Sequence, residues 1–241
     1  MSLAEEVNLV DNIDIKRELT RVFTEHIITG CSRPLTAAVD PGVAQQRTMK
    51  IERWQIDKRE FLLDRLVGRI FHLTARAAYV EIRRARIIRN NRLGCFPINP
   101  GSQNSYATVN GCVSLFDLRN DNYEIIQNTL NCYYFIGPEW FAKHGRKYIT
   151  WDLAYLFLDE QYYNQLIPNS RVHDYYRETG QYLQAIPKSE VWIKNEIPLS
   201  WIAIVLLVKI KEPAPDRNTL TGKHYWTALK ASEIDKSNRQ R

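Results

Sequence analysis

Two hydrophobic periods run along this chain, and their order predicts the elements. The most apolar run is Ile202-Ala203-Ile204-Val205-Leu206-Leu207-Val208, seven residues long. A bilayer-spanning helix needs about 20 apolar residues, so the run reads as a core strand. Before it stand a short strand, Glu190-Val191-Trp192-Ile193, then a charged turn and a corner at Pro198. The octet Trp151 to Leu158 leans toward strand by its length and aromatics, and 132–136 reads as a strand closed by Gly137-Pro138. Arg69-Ile70-Phe71-His72-Leu73 reads as a strand that places His72 near its end.

Helical spacing marks the front of the chain. Ile15, Leu19, Val22, Phe23 and Ile27 share one face of a predicted helix over 11–28, with Gly30 placed to stop it. His26 near its end reads as a packing or capping residue. Residues 31–49 lack periodicity and read as a linker. Asp57-Lys58-Arg59-Glu60 has the capping-box spacing and predicts a helix to about Val67, ended by Gly68. Thr74 is placed to cap a second helix carrying Ala77, Ala78, Ile82 and Ile87, which fades near Asn90 and closes at Gly94. Residues 97–104 read as a loop.

The extended segment 106–109, the turn signal Asn110-Gly111 and the strand 112–116 follow. Alternation in that strand separates Val113 and Leu115 from Cys112, Ser114 and Phe116, so Ser114 can face a ligand while Leu115 is core. Short helices are predicted at 122–130 and 159–166. Residues 171–182 are polar and tyrosine-rich, and the end from Ser232 is polar. Together these predict an α+β class with a mixed or antiparallel sheet and flanking helices. The predicted organisation is an N-terminal helical arm and linker over 1–50, a domain over 51–215 and a polar extension over 216–241.

Composition narrows the function classes. Hydrophobic residues make up 44% of the 241 and charged ones 25%, enough for a core without disulfides or metals. The four cysteines are far apart, so no pair has structural-zinc spacing. The acidic start MSLAEEVNLVDNID lacks the apolar stretch of a secretory signal, which predicts a cytoplasmic protein with reduced thiols. No GxxxxGK loop occurs, which argues against ATP hydrolysis.

The 33 Lys and Arg against 27 Asp and Glu give a net charge of +6, compatible with an anionic partner. Arg76, Arg83, Arg84, Arg86, Arg89 and Arg92 form the densest basic cluster. It reads either as a phosphate-binding surface or as a solvated helix face.

Candidate chemistry rests on a few polar residues at strand ends. His72 is either a pocket histidine or a strand histidine held by a backbone hydrogen bond. Glu190 is either an exposed strand end or an active-site acid, with Glu196 as its rival. The tract IFHLTARAAYVEIRRARIIRNNRLG resembles the opening of ADP-ribosyltransferase-like domains, where a strand ending in His-x-Thr leads into a helix. PKSEVWIKNEIPLSWIAIVLLV resembles the end of that fold in its DarT-type toxin branch, and GCVSLFDLR resembles a middle strand. The resemblance covers roughly residues 70–210.

That resemblance implies a split sheet and NAD as substrate, with no metal. It implies that Glu190 is the catalytic glutamate and that His72, with Thr74 beside it, contacts the nicotinamide-side ribose. Tyr106 and Ser114 compete for the middle position. Tyr79 or Phe116 would stack the nicotinamide, and Arg92 and Arg119 would hold the pyrophosphate. The implied partners are a macromolecular acceptor (DNA, RNA or protein) and an antitoxin, with no membrane. Two other classes stay open. One is a nucleic-acid-binding protein or metal-independent nuclease using His72, His144, His173 and the arginines. The other is a non-catalytic scaffold that works through its N-terminal helix.

Overall fold

A computed structural model describes residues 49–94, 102–119, 136–138, 141–219, 223, 225–227 and 229–230. The predicted helices at 11–28 and 122–130, all of the strand at 132–136 but Ile136, most of the loop at 97–104 and the tail from 232 lie outside these residues.

The described chain is α+β with a mostly antiparallel open sheet. Its strands are β1 (Lys50–Ile56), β2 (Ile70–Ala75), β3 (Ile87–Ile88), β4 (Cys112–Asp117), β5 (Lys143–His144), β6 (Tyr148–Leu158), β7 (Glu190–Lys194), β8 (Ile197–Pro198) and β9 (Ile202–Pro213). Seven of them form the main sheet in the order β1-β9-β6-β2-β4-β7, with β5 added on β6. β1 runs parallel to β9, and every other pair is antiparallel. The helices are α1 (Leu63–Leu66), α2 (Arg76–Ala85), α3 (Tyr106–Asn110) and α4 (Arg171–Thr179), with 3-10 turns at Arg59–Leu62, Glu160–Gln165 and Leu199–Trp201.

β9 and β6 are the sheet's spine. They pair from Tyr148↔Pro213 to Leu158↔Ile202 with one irregularity at Phe157/Leu158. Both have apolar residues on both faces, so their neighbours must cover two sides. Phe71, Trp151, Leu153, Tyr155, Phe157 and Val208 pack on one face beneath Leu62 and Leu66. Ile70, Leu115, Leu156, Val191, Val205 and Leu207 pack on the other with Tyr79 of α2. Burying each such side chain is worth about 1.5–3 kcal/mol.

Several sequence expectations are corrected. Residues 106–110 form α3, not an extended segment. Ser105 caps it by accepting from Thr108 N–H at 3.3 Å, and Gly111 ends it in the left-handed region at φ 62. The capping box at Asp57 is not made. The structure has a 3-10 turn capped at Lys58 with no side-chain bond, and then the single-turn α1. Its start is held by Arg59, whose N–H and Nε both donate to Glu212 Oε1 at 3.0 and 2.9 Å.

Thr74 lies inside β2 rather than at a cap, and His72 is mid-strand rather than terminal. α2 stops at Ala85, because Arg86 turns left-handed at φ 60 and leads into β3. β3 then pairs with β8, which ties the end of α2 to the corner between β7 and β9. Three residues of the predicted extension pack back on the domain. Tyr225 Oη donates to Gly145 O at 2.8 Å, Trp226 Nε1 donates to Pro215 O at 3.0 Å, and Leu229 is buried.

Candidate functional site

Two halves of the sheet part between β2 and β4. Their ladder has two rungs, Ile70↔Asp117 and Phe71↔Phe116. Past Phe71, β2 continues on β6 to Ala75↔Leu153, and β4 continues on β7 to Cys112↔Lys194. His72 is the first residue of β2 beyond the closed end. Its Nδ1 lies 2.9 Å from the Ser114 carbonyl oxygen and takes the place of the missing ladder. A carbonyl only accepts, so Nδ1 carries the proton, and in the neutral ring Nε2 is left as an acceptor. Burial holds the His72 pKa below the usual imidazole range, and the bond to Ser114 pulls it the other way.

Ser114 is the hub. Its carbonyl accepts from His72, and its hydroxyl donates to Glu190 Oε1 at 2.6 Å across the β4–β7 pair. The same oxygen accepts from Trp192 Nε1 at 3.2 Å, and Oε2 accepts from the Ile186 N–H at 2.7 Å. Glu190 is 7% exposed, so the reading as an exposed strand end is corrected. A carboxylate withdrawn from water needs such donors, because leaving it unpaired would be costly.

Strand alternation fixes the faces. His72 and Thr74 share a face with Ile70, toward α2. Ser114, Glu190 and Trp192 share the opposite face with Phe116. The two sets meet only along the line where β2 and β4 part. The backbone hydrogen bond that a purely structural strand histidine would make is present at His72. The site's chemistry therefore hangs on what Nε2 and Glu190 do beyond it.

No family model, no curated protein and no solved structure matches the chain. Its residues alone carry the functional argument.

The remaining predicted site residues are scattered. Tyr106 begins α3 and packs its ring 4.3 Å from that of Trp192, so it reaches Glu190 only through the indole. Burial pushes its phenol pKa up. Thr74 is buried in β2. Tyr79 and Phe116 are core residues, 4% and 9% exposed, and present no open face for stacking. The Tyr79 hydroxyl is buried and has no hydrogen-bond partner among the described residues.

Arg119 clamps Asp117 with bonds of 3.0 and 2.8 Å and lies over Tyr163, at the closed end of the parting. Arg92 packs against Gly111 at the other end of β4. β4 has six residues, roughly 20 Å of extended chain, so the structure does not bring these two arginines to one pyrophosphate.

The rival Glu196 is half-buried in the β7–β8 turn, away from Ser114. His72, His144 and His173 lie on β2, β5 and α4, and His144 and His173 are exposed. The three are not assembled as a nuclease would need. Among the described residues no group of three His, Cys, Asp or Glu could hold a metal, and no helix is long and apolar enough to cross a membrane.

Sequence reasoning missed Trp192 and Asn169 as parts of the site. A tryptophan two residues after a strand-entry glutamate puts its side chain on the same face, and that spacing was the available signal. Asn169 carried none, because its partners lie 17 to 21 residues away.

Proposed function

We propose that the chain is an NAD-dependent ADP-ribosyltransferase that passes ADP-ribose to a macromolecular acceptor, nucleic acid or protein, as a toxin or defence effector does. One observation carries this reading. A single hydrogen-bonded path, His72 Nδ1 to Ser114 O and Ser114 Oγ to Glu190 Oε1, links the three candidate residues across three adjacent strands. It favours Ser114 over Tyr106 as the middle residue.

The reaction breaks the bond between ribose C1 and the nicotinamide nitrogen. Both electrons go to that nitrogen, and neutral nicotinamide leaves. The acceptor nucleophile then bonds to C1 and loses its proton to solvent. Positive charge builds on the ribose between the two events, and a fixed carboxylate stabilises it. Glu190 is that carboxylate. His72 Nε2 accepts a ribose hydroxyl, and Ser114 keeps Glu190 aimed. Arg92 at the open end supplies a cation for the pyrophosphate, while Arg119 is engaged by Asp117.

Low exposure of Glu190 sets a condition. A ribose reaches it only when the β2–β4 parting gives way. Substrate closure and opening of this kind are common in enzymes.

The test is nicotinamide release from NAD by the wild type and by Glu190→Gln, with DNA, RNA or cell lysate added in turn. Release by the wild type, reduced at least about 10²-fold in Glu190→Gln, supports the reading, and the stimulating additive names the acceptor class. Equal release by both proteins, or none by either in every mixture, overturns it.

A further inference from the structure

Asn169 precedes α4 and makes three hydrogen bonds, all to the backbone of the turn that leads into β7. Its Nδ2 donates to Ile186 O at 3.0 Å and to Glu190 O at 2.8 Å, and its Oδ1 accepts from Lys188 N–H at 3.0 Å. Both amide protons are used. Ile167, two residues earlier, exchanges both backbone bonds with Trp192, at 2.7 and 3.1 Å. The segment therefore runs along the outer edge of β7, and the Asn169 carboxamide takes the next rung.

The turn that it closes is also tied by Glu190 itself. Glu190 N–H donates to Ile186 O at 3.2 Å, and Glu190 Oε2 accepts from Ile186 N–H at 2.7 Å. Inside the turn Lys188 sits at φ 64, a conformation that a residue with a Cβ holds only under constraint.

We propose that Asn169 is a positioning residue for Glu190, an inference that rests on the transferase reading. Oε1 already accepts two hydrogen bonds and Oε2 one. One acceptor site on Oε2 remains for a ribose hydroxyl. Its direction is set by the Ile186 N–H, and Asn169 fixes where that N–H stands. Without the carboxamide, Lys188 relaxes out of the left-handed region, the turn opens, and the carboxylate rotates away from its working direction.

Asn169→Asp is the sharpest variant, because it keeps the shape and the bond from Lys188 but sets an oxygen against two carbonyls. Two readouts are needed: kcat and KM for NAD in nicotinamide release, and the indole N–H resonance of Trp192, assigned with Trp192→Phe. The indole donates to Glu190 Oε1, so its resonance follows the carboxylate without any turnover. We expect Asn169→Asp and Asn169→Ala to move the resonance and to lower kcat about 10²-fold, with KM held. We expect Lys188→Gly to restore part of kcat in the Asn169→Ala background, because glycine adopts the turn unaided.

A cooperatively folded Asn169 variant with unchanged kcat and an unmoved resonance overturns the proposal, as does a loss confined to KM. If Asn169→Asp does not fold, Asn169→Ala with Lys188→Gly decides by the same two readouts. If the wild type releases no nicotinamide, the transferase reading falls. The resonance then decides alone: moved, it keeps Asn169 as the residue that positions Glu190; unmoved, it removes it.

Discussion

Ser114 and Tyr106 were equal candidates in the sequence, and single-atom changes now separate them. Ser114→Ala removes the 2.6 Å donor to Glu190 Oε1 and leaves the packing almost unchanged. A hydrogen bond to a charged group is worth about 1.5–3 kcal/mol, so nicotinamide release should fall about 10- to 100-fold. Tyr106→Phe keeps the ring against Trp192 and touches no oxygen of Glu190. Its turnover should stay near wild type. The reverse pattern would move the middle role to Tyr106. Cys112 offers a control on the same strand, being buried with its thiol pKa pushed up by that burial. A buried thiol of this kind should resist alkylation until the protein unfolds.

Elements were legible where one physical signal dominated. β7 and β9 read correctly, and β6, ambiguous between strand and helix, leaned the right way on its length and aromatics. β2 read correctly within two residues. α3 did not, because Tyr106-Ala-Thr-Val is β-prone and Asn110-Gly111 imitates a hairpin turn. The Ser105 cap and Gly111 at φ 62 outweighed that preference for a single turn. α4 was read only as a polar stretch, since it buries Val172 and little else. Ion pairs of Arg171 with Asp174 and Glu178, and the stop at Gly180, hold it. β1 was missed because Lys50-Ile-Glu-Arg-Trp-Gln-Ile carries charges along an edge strand, paired only with β9.

The candidate site followed the same rule. Ser114 could be named from strand alternation, and His72 and Glu190 from their predicted strands together with the family resemblance, but their junction could not. It depends on a two-rung ladder between β2 and β4, and register is a property of the folded sheet. That junction makes an element-scale prediction. Amide hydrogen exchange should be slowest in β6 and β9, which share the longest ladder and the deepest burial. Adding NAD to the Glu190→Gln protein should slow exchange in β2 and β4 around residues 72–75 and 112–115. Slowing elsewhere, with these segments unaffected, would place the ligand outside the parting.

For the whole molecule, stability and activity should share one pH dependence, because His72 is buried in the fold and is also proposed to bind the ribose. Burial lowers its pKa below the ordinary value of 6.5. The unfolded chain therefore binds a proton at this residue more readily than the folded protein does. Where the unfolded state holds more protons, stability rises with pH. The contribution of neutral His72 is thus complete above about pH 6.5 and is lost as pH falls below it, toward the folded value. Glu52 and Asp174 are shifted down from 4.5 and 3.8 by their Lys50 and Arg177 partners. Their contributions are lost only at lower pH, so they do not overlap this window.

The melting temperature should drop between pH 7.5 and pH 5.5 in the wild type. The slope should flatten in His72→Gln, whose amide can still donate to the Ser114 carbonyl. Protonation also removes the Nε2 acceptor on which ribose binding is argued to depend, so nicotinamide release should fall over the same interval, chiefly through KM. An equal melting slope in the two proteins would remove His72 as its cause. A melting slope that disappears in His72→Gln while the acid loss of release persists would assign His72 to the fold alone.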